Sequence, residues 1–286
     1  VKAALEPYYF HNGVKATANA NAADTAIGTH PQQVWFTNSF FGANKNGYPD
    51  LVAKYGDRDA EGIYVCSQNY SPTVTDDYLN TPGSAWPGVD DHDCILLNLE
   101  PYRDLLLYPQ EHIDHIAAKS REICNTVKTK YPNKQIGSYL HFGRDVNDVL
   151  DMADADTLKN EDKQAWADHL EAVEGAADFI GFSGYIRPHF LNDDVPRWKT
   201  AYQRLVDFYV AVIELADKPV CGYTSPNVSG YRASSTLYKW TMEELQSKCD
   251  SVCVLLVDPA ASQTADTTTQ VTAYVDDALD VLEVTP

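Results

Sequence analysis

Eight short apolar runs, each rich in β-branched or aromatic residues, recur along the chain with helix-like segments between them. This alternation constrains the fold more than any other feature. The runs are AALEPYYF from Ala3, QVWFTNSF from Gln33, GIYVCSQN from Gly62, CILLNLEP from Cys94, QIGSYLHF from Gln135, DFIGFSGYI from Asp178, PVCGYTSP from Pro219 and VCVLLVDP from Val252. Helical period and good helix formers mark EHIDHIAAKSREICNTVKTKY from Glu111, KQAWADHLEAVEGA from Lys163 and VPRWKTAYQRLVDFYVAVIELA from Val195. TLYKWTMEELQSKC from Thr236 and AYVDDALDVLEV from Ala273 carry the same signal. Asp194 ahead of Val-Pro suits a helix start. A weaker first helix is expected within GVKATANANAADTAIGTHPQ. The alternation is what a (β/α)8 TIM barrel requires. A doubly wound sheet would usually show fewer strands and a glycine-rich phosphate loop, and no G-x-G-x-x-G or P-loop follows any run. The expectation is an α/β protein, one (β/α)8 barrel domain over residues 1–286, and 44% apolar content in 286 residues is enough for its core.

The charge narrows the partners. Forty-one acidic against 22 basic residues give a formal charge of -19, spread along the chain, and such a surface repels phosphate backbones. Nucleic acid is therefore not expected as a partner. No apolar run is long enough for a membrane span and no charged-then-apolar leader precedes Val1, although a leader removed before Val1 would leave the same sequence. The six cysteines (Cys66, Cys94, Cys124, Cys221, Cys249, Cys253) contain no C-x2-C pair, so zinc is not expected, and they are compatible with either disulfides or buried thiols. Two N-x-S sequons, at Asn69 and Asn227, matter only in a eukaryotic secretory route. A secreted or cell-surface protein without metal or other cofactor is expected.

Polar and aromatic residues gather at the predicted C-terminal strand ends: Glu6, Asn38, Asn69, Glu100, His141, Tyr185, Tyr223 and Asp258. Barrel active sites are assembled at that face from several strand ends. The fourth run carries the sharpest signal, because an asparagine and a glutamate interrupt its aliphatics, and such groups are costly to bury without a partner or a task. Alternation puts Cys94, Leu96, Asn98 and Glu100 on one strand face, which in a barrel is the interior near the upper rim. A carboxyl in a partly apolar mouth is raised in pKa by desolvation and suits a general acid. The competing reading is a glutamate that only bonds nearby loop amides.

Asp93-Cys-Ile-Leu96-Leu-Asn98-Leu-Glu100 reads D-x-x-L-x-N-x-E. It resembles the fourth-strand motif of glycoside hydrolase family 85, the endo-β-N-acetylglucosaminidases, and is similar to the D-x-x-D-x-D-x-E of the chitinase-type family 18, with Leu96 and Asn98 in place of two aspartates. The resemblance implies a (β/α)8 barrel and substrate-assisted catalysis, in which the sugar's own 2-acetamido oxygen attacks the anomeric carbon and no enzyme nucleophile is needed. It implies Glu100 as general acid and then base, and Asn98 as the group that orients the acetamide. Tyr139 matches the acetamide-holding tyrosine of family 85 and Tyr185 its family 18 equivalent; the sequence leaves both open. Family 85 proteins are generally much longer and carry tryptophan-rich segments that this chain lacks, which bears on the substrate first and the activity second.

A two-carboxylate glycosidase is the alternative. Asn98-Leu-Glu100-Pro101 is similar to the N-E-P acid site of retaining barrel glycosidases, but the seventh run ends Cys221-Gly-Tyr223-Thr-Ser and supplies no second acid, leaving Asp258 or Glu6 for that role. Candidate sugar-binding residues are Trp35, Asn69, Trp86, His141, Arg187, Tyr223, Asp258 and Glu6. Trp86 and Tyr78 lie in the long polar loop from Asn69 to Asp93 and are candidates for a stacking platform, with Tyr185, Arg187, His189 and Phe190 after the sixth run as candidates for an opposing wall. Glu111-His112-Ile-Asp114-His115 lacks the H-E-x-x-H spacing and reads as solvated helix. Ser138, Ser183 and Ser225 lack a G-x-S-x-G elbow, which argues against an α/β-hydrolase. The expected function is hydrolysis of a glycosidic bond in a glycan or polysaccharide. A carbohydrate-binding barrel that does no chemistry, or an unrelated α/β enzyme, are the competing classes.

Overall fold

The structure, a computed structural model, describes residues 9–10, 14–15, 33–36, 63–69, 94–100, 110–139, 146–186, 195–225, 227–228 and 231–254, together with 273, 277 and 281. Strands are β1 (Tyr9–Phe10), β2 (Val14–Lys15), β3 (Gln33–Phe36), β4 (Ile63–Asn69), β5 (Cys94–Glu100), β6 (Gln135–Tyr139), β7 (Phe179–Ser183), β8 (Val220–Thr224), β9 (Asn227–Val228), β10 (Tyr231–Arg232) and β11 (Ser251–Val254). Helices are α1 (Gln110–Lys130), α2 (Val146–Asp154), α3 (Asn160–Glu174), α4 (Val195–Leu215) and α5 (Ser235–Gln246). Each of the eight apolar runs contains one of the strands β1, β3, β4, β5, β6, β7, β8 and β11 or, for the last, all but its first residue.

The nine-stranded sheet has the order β2-β1-β3-β11-β8-β7-β6-β5-β4. Its pairings are parallel except β1 with β2. The protein is thus α/β with a parallel sheet. A (β/α)8 ring would set β4 beside β3 and β11 beside β1; here β3 lies between β1 and β11, and β4 is the end strand, so that ring is not closed among the described residues.

Alternation assigns each strand face. Ile95, Leu97, Ile136, Ile180, Phe182, Val220 and Val252 belong to one core cluster with helix residues, so these positions face the helices. The α4 helix supplies much of that layer because its apolar residues repeat at three and four positions: Trp198, Ala201, Tyr202, Leu205, Phe208, Tyr209, Val212 and Ile213 are all buried. Its aromatics interlock. Phe182 stacks on Tyr209 at 5.3 Å, Trp198 on Tyr202 at 4.9 Å, and Trp166 of α3 meets Phe208 edge-on at 5.1 Å. Arg197 grips Asp154 with Nε 2.7 Å from Oδ1 and Nη2 on Oδ2, tying α4 to α2.

The lower strand ends are locked by two aspartates in the same way. Asp178 Oδ2 accepts from the Ile136 N–H at 2.9 Å and its own N–H donates to Ile136 O at 2.7 Å. Asp250 Oδ2 accepts from the Val220 N–H at 2.8 Å while its N–H donates to Val220 O at 3.0 Å. Each satisfies an amide at the start of a neighbouring strand, the second residue in one case and the first in the other. Cys94, Cys124, Cys221 and Cys249 are buried free thiols. Desolvation pushes Cys124 up to about 11, and burial likewise raises Cys249 well above the ordinary thiol value, so both stay protonated at neutral pH.

Candidate functional site

The face turned away from the helices is built from the other strand positions. Cys94 and Leu96 of β5 are buried there, outside the helix-side cluster. Gly137 lies under the Phe179 ring, whose Cε2 would stand 2.2 Å from an added Cβ. A Cβ on Gly181 would meet Leu96 Cδ1 at 3.4 Å and Tyr139 Cδ2 at 3.6 Å, so Leu96, Tyr139 and Gly181 share this side. Alternation then continues through Ser183 and Tyr185, while Phe182 and Gly184 face Tyr209 and Leu245 on the helix side.

Three tyrosines meet at the C-terminal strand ends of this face. The Tyr139 ring lies 5.2 Å from that of Tyr223 at 77°, and the Tyr185 ring 5.9 Å from it at 67°. Edge-to-face contacts of this kind contribute about 0.5–1.5 kcal/mol each. Tyr139 and Tyr223 stand on β6 and β8, strands separated by β7 and therefore about 9.5 Å apart at the backbone. Their rings meet over β7 because it presents only small residues between them. The Cα partner of Tyr139 is Gly181, and that of Tyr223 is Ser183. Tyr223 is 3% exposed and forms the inner wall, whereas Tyr139 and Tyr185 are half-buried and open toward solvent.

The end of β7 is held from behind. The Gly184 N–H donates to Tyr223 O at 2.6 Å, and the Tyr202 hydroxyl of α4 donates to Gly184 O at 2.8 Å. An added Cβ on Gly184 would sit 2.9 Å from Tyr202 Oη and 3.2 Å from Leu245 Cδ2, so only glycine allows this approach. Burial, with smaller contributions from Cys249 and Glu244, pushes the Tyr202 phenol well above its usual value and keeps it a donor. The strand end that carries Tyr185 is thereby fixed to both β8 and α4.

Of the sequence-predicted residues, the structure thus brings Tyr139, Tyr185 and Tyr223 together. Asn98 and Glu100 are backbone positions of β5, the latter its last residue, with Ser67 and Asn69 of β4 as their Cα partners. Trp35 of β3 pairs with Tyr9 and Cys253. Glu6, Trp86, His141, Arg187 and Asp258 lie outside the described residues, as do Asn38, Tyr78, His189 and Phe190. Glu111 and Asp114 of α1 are exposed, as expected of a solvated helix surface. Sequence reasoning missed Ser183 as a member of the cluster. The signal was present in G-x-S-x-Y at 181–185, small residues between tyrosine-bearing neighbours, but it needs the strand order to be read. Among the described residues no group of three or more His, Cys, Asp or Glu is placed to hold a metal ion, and no helix is long and apolar enough to cross a membrane.

No family model and no curated protein matches the chain. Among solved structures, bee venom hyaluronidase in its monoclinic crystal form is similar over 96% of this chain and 84% of its own, at 10% identity and a TM-score of 0.45. The same enzyme in complex with a hyaluronic acid tetramer gives 97%, 84%, 10% and 0.38. Aspergillus clavatus Sph3 in complex with GalNAc gives 84%, 94%, 9% and 0.30. At such scores the likeness carries no chemistry to this chain, and the case for its site rests on strand register and the tyrosine contacts.

Proposed function

We propose that this chain is a glycoside hydrolase, a single barrel-type domain over residues 1–286, secreted or exposed at the cell surface. The observation that carries the reading is the meeting of Tyr139, Tyr185 and Tyr223 at the strand ends beside β5. Aromatic walls of this kind suit the apolar faces of sugar rings. The β5–β6 register pairs Leu97 with Ser138; continued by one residue it sets Asn98 level with Tyr139, with Glu100 two positions further along β5. An amide, a phenol and a carboxyl at that spacing are what substrate-assisted hydrolysis of an N-acetylhexosamine needs. The 2-acetamido oxygen bonds to the anomeric carbon as the glycosidic C–O bond breaks, and the leaving oxygen takes the proton of Glu100. Asn98 and Tyr139 hold the acetamide in the attacking geometry, and Tyr185 and Tyr223 wall the sugar. Glu100, now a carboxylate, then removes a proton from the water that opens the cyclic intermediate. The formal charge of -19 favours an uncharged glycan over a polyanionic one.

A hydrolysis screen with N-acetylchitotetraose, an N-linked biantennary glycan and a hyaluronan tetrasaccharide tests this. Cleavage of a neutral N-acetylated substrate, inhibited by a thiazoline that mimics the cyclic intermediate, is the expected result. Absence of cleavage across the panel, or cleavage indifferent to the thiazoline, contradicts it.

A further inference from the structure

Ser183 is 8% exposed, and its Oγ is buried with no hydrogen-bond partner. Leaving a buried hydroxyl unpaired is destabilising, so a fold that keeps one where alanine fits equally well needs a reason. Thr224 Oγ1, Ser251 Oγ, His169 Nε2 and Trp198 Nε1 are likewise buried without a hydrogen-bond partner, but Thr224 lies on the helix side of β8, Ser251 opens β11 at its lower end, and His169 and Trp198 belong to helices. Among these, Ser183 alone stands at the C-terminal end of a strand on the face away from the helices. It is opposite Tyr223, between Gly181 and Tyr185, at the point where the three tyrosine rings converge. Ser183 is the last residue of β7, and the Gly184 N–H that follows it donates to Tyr223 O at 2.6 Å and lies 3.1 Å from Phe182 O.

We propose that Ser183 Oγ is a ligand-binding group: it hydrogen-bonds a hydroxyl or amide of the sugar held between the tyrosines, a contact made when a tyrosine ring turns aside for the incoming ring. This rests on the glycan reading above and assigns a specificity residue to that site. The unpaired hydroxyl lowers the stability of the free protein and contributes once the sugar is bound, a trade common at binding sites. Its removal therefore acts in opposite directions on fold and function, which a merely structural serine would not.

The test is calorimetric titration of N-acetylchitotetraose, the biantennary glycan and the hyaluronan tetrasaccharide into the full chain and its Ser183→Ala variant, with thermal melts of both. The expected result is an unchanged or higher Tm for the variant together with affinity weaker by about 3–10-fold, as for loss of one neutral hydrogen bond. Equal affinity for a glycan that the unaltered protein binds overturns the proposal and leaves the glycosidase reading standing. A lowered Tm shows the hydroxyl already satisfied by the fold and overturns it as well. If the unaltered protein binds none of the three, the glycan reading fails and this proposal with it.

Discussion

The hydroxyl of Tyr202 is the most direct handle on how the helix layer positions the site. Its ring packs in a triangle with those of Trp198 at 4.9 Å and Trp240 at 5.8 Å, and its Oη bonds Gly184 O at 2.8 Å with the whole side chain buried. Tyr202→Phe keeps the ring packing and removes only that donor. The carbonyl then stays buried without it, which costs about 1–3 kcal/mol. With about 2–4 °C of Tm per kcal/mol for a chain of this size class, a loss near the middle of that range lowers the melting temperature by about 4–8 °C. Thermal denaturation followed by circular dichroism reads the shift directly. On the proposed function, turnover also falls, because Gly184 anchors the strand end that carries Tyr185, while binding of substrate changes less. A variant that melts within about 1 °C of the unaltered protein would refute the reasoning, since the carbonyl would then be satisfied from elsewhere.

Two further outcomes follow from the fold. Asp217, exposed just beyond the end of α4, adopts φ 55°, and the Lys218 N–H reaches back to Ile213 O at 3.2 Å, a helix stop usually given to glycine. Asp217→Gly is expected to raise stability by about 0.5–1 kcal/mol, measured by chemical denaturation; a loss would mean the carboxylate contributes more than its strained backbone costs. His169 of α3 is depressed below its usual pKa by burial, so the unfolded chain binds its proton more readily than the folded one. Stability is therefore full above the unfolded value of about 6.5 and falls as the pH drops through it toward the lower folded value. Denaturation at pH 7.5 and 5.5 should show a smaller loss for His169→Gln than for the unaltered protein, and identical losses would remove His169 from the account.

The alternation of apolar runs and helical segments was legible because period 2 and period 3.6 leave different marks. The run from Val195 is a clear case, where α4 buries residues three and four apart as its sequence foretells. What the sequence concealed is of two kinds. Short elements escaped: α2 is nine residues of VNDVLDMAD, too brief for its period to stand out, and the antiparallel pair β9 and β10 has only two residues in each strand. Long-range order escaped as well. Alternation assigns Tyr139, Ser183 and Tyr223 to a face, but not the meeting of β6 and β8 rings over the small residues of β7, nor the position of β3 between β1 and β11. Local period fixes parity along a strand, whereas neighbour choice is set by closure of the whole sheet. The candidate site was accordingly readable as a collection of strand ends, and its tyrosine cluster only as a structure.

The measurement closest to the central claim is turnover of N-acetylchitotetraose and the N-linked glycan by Glu100→Gln beside the unaltered protein, with circular dichroism and melting temperature recorded on both. The expected result is hydrolysis lowered by at least about a hundredfold, as for loss of a general acid, with fold and stability retained. Turnover that survives the substitution in a folded variant would contradict it.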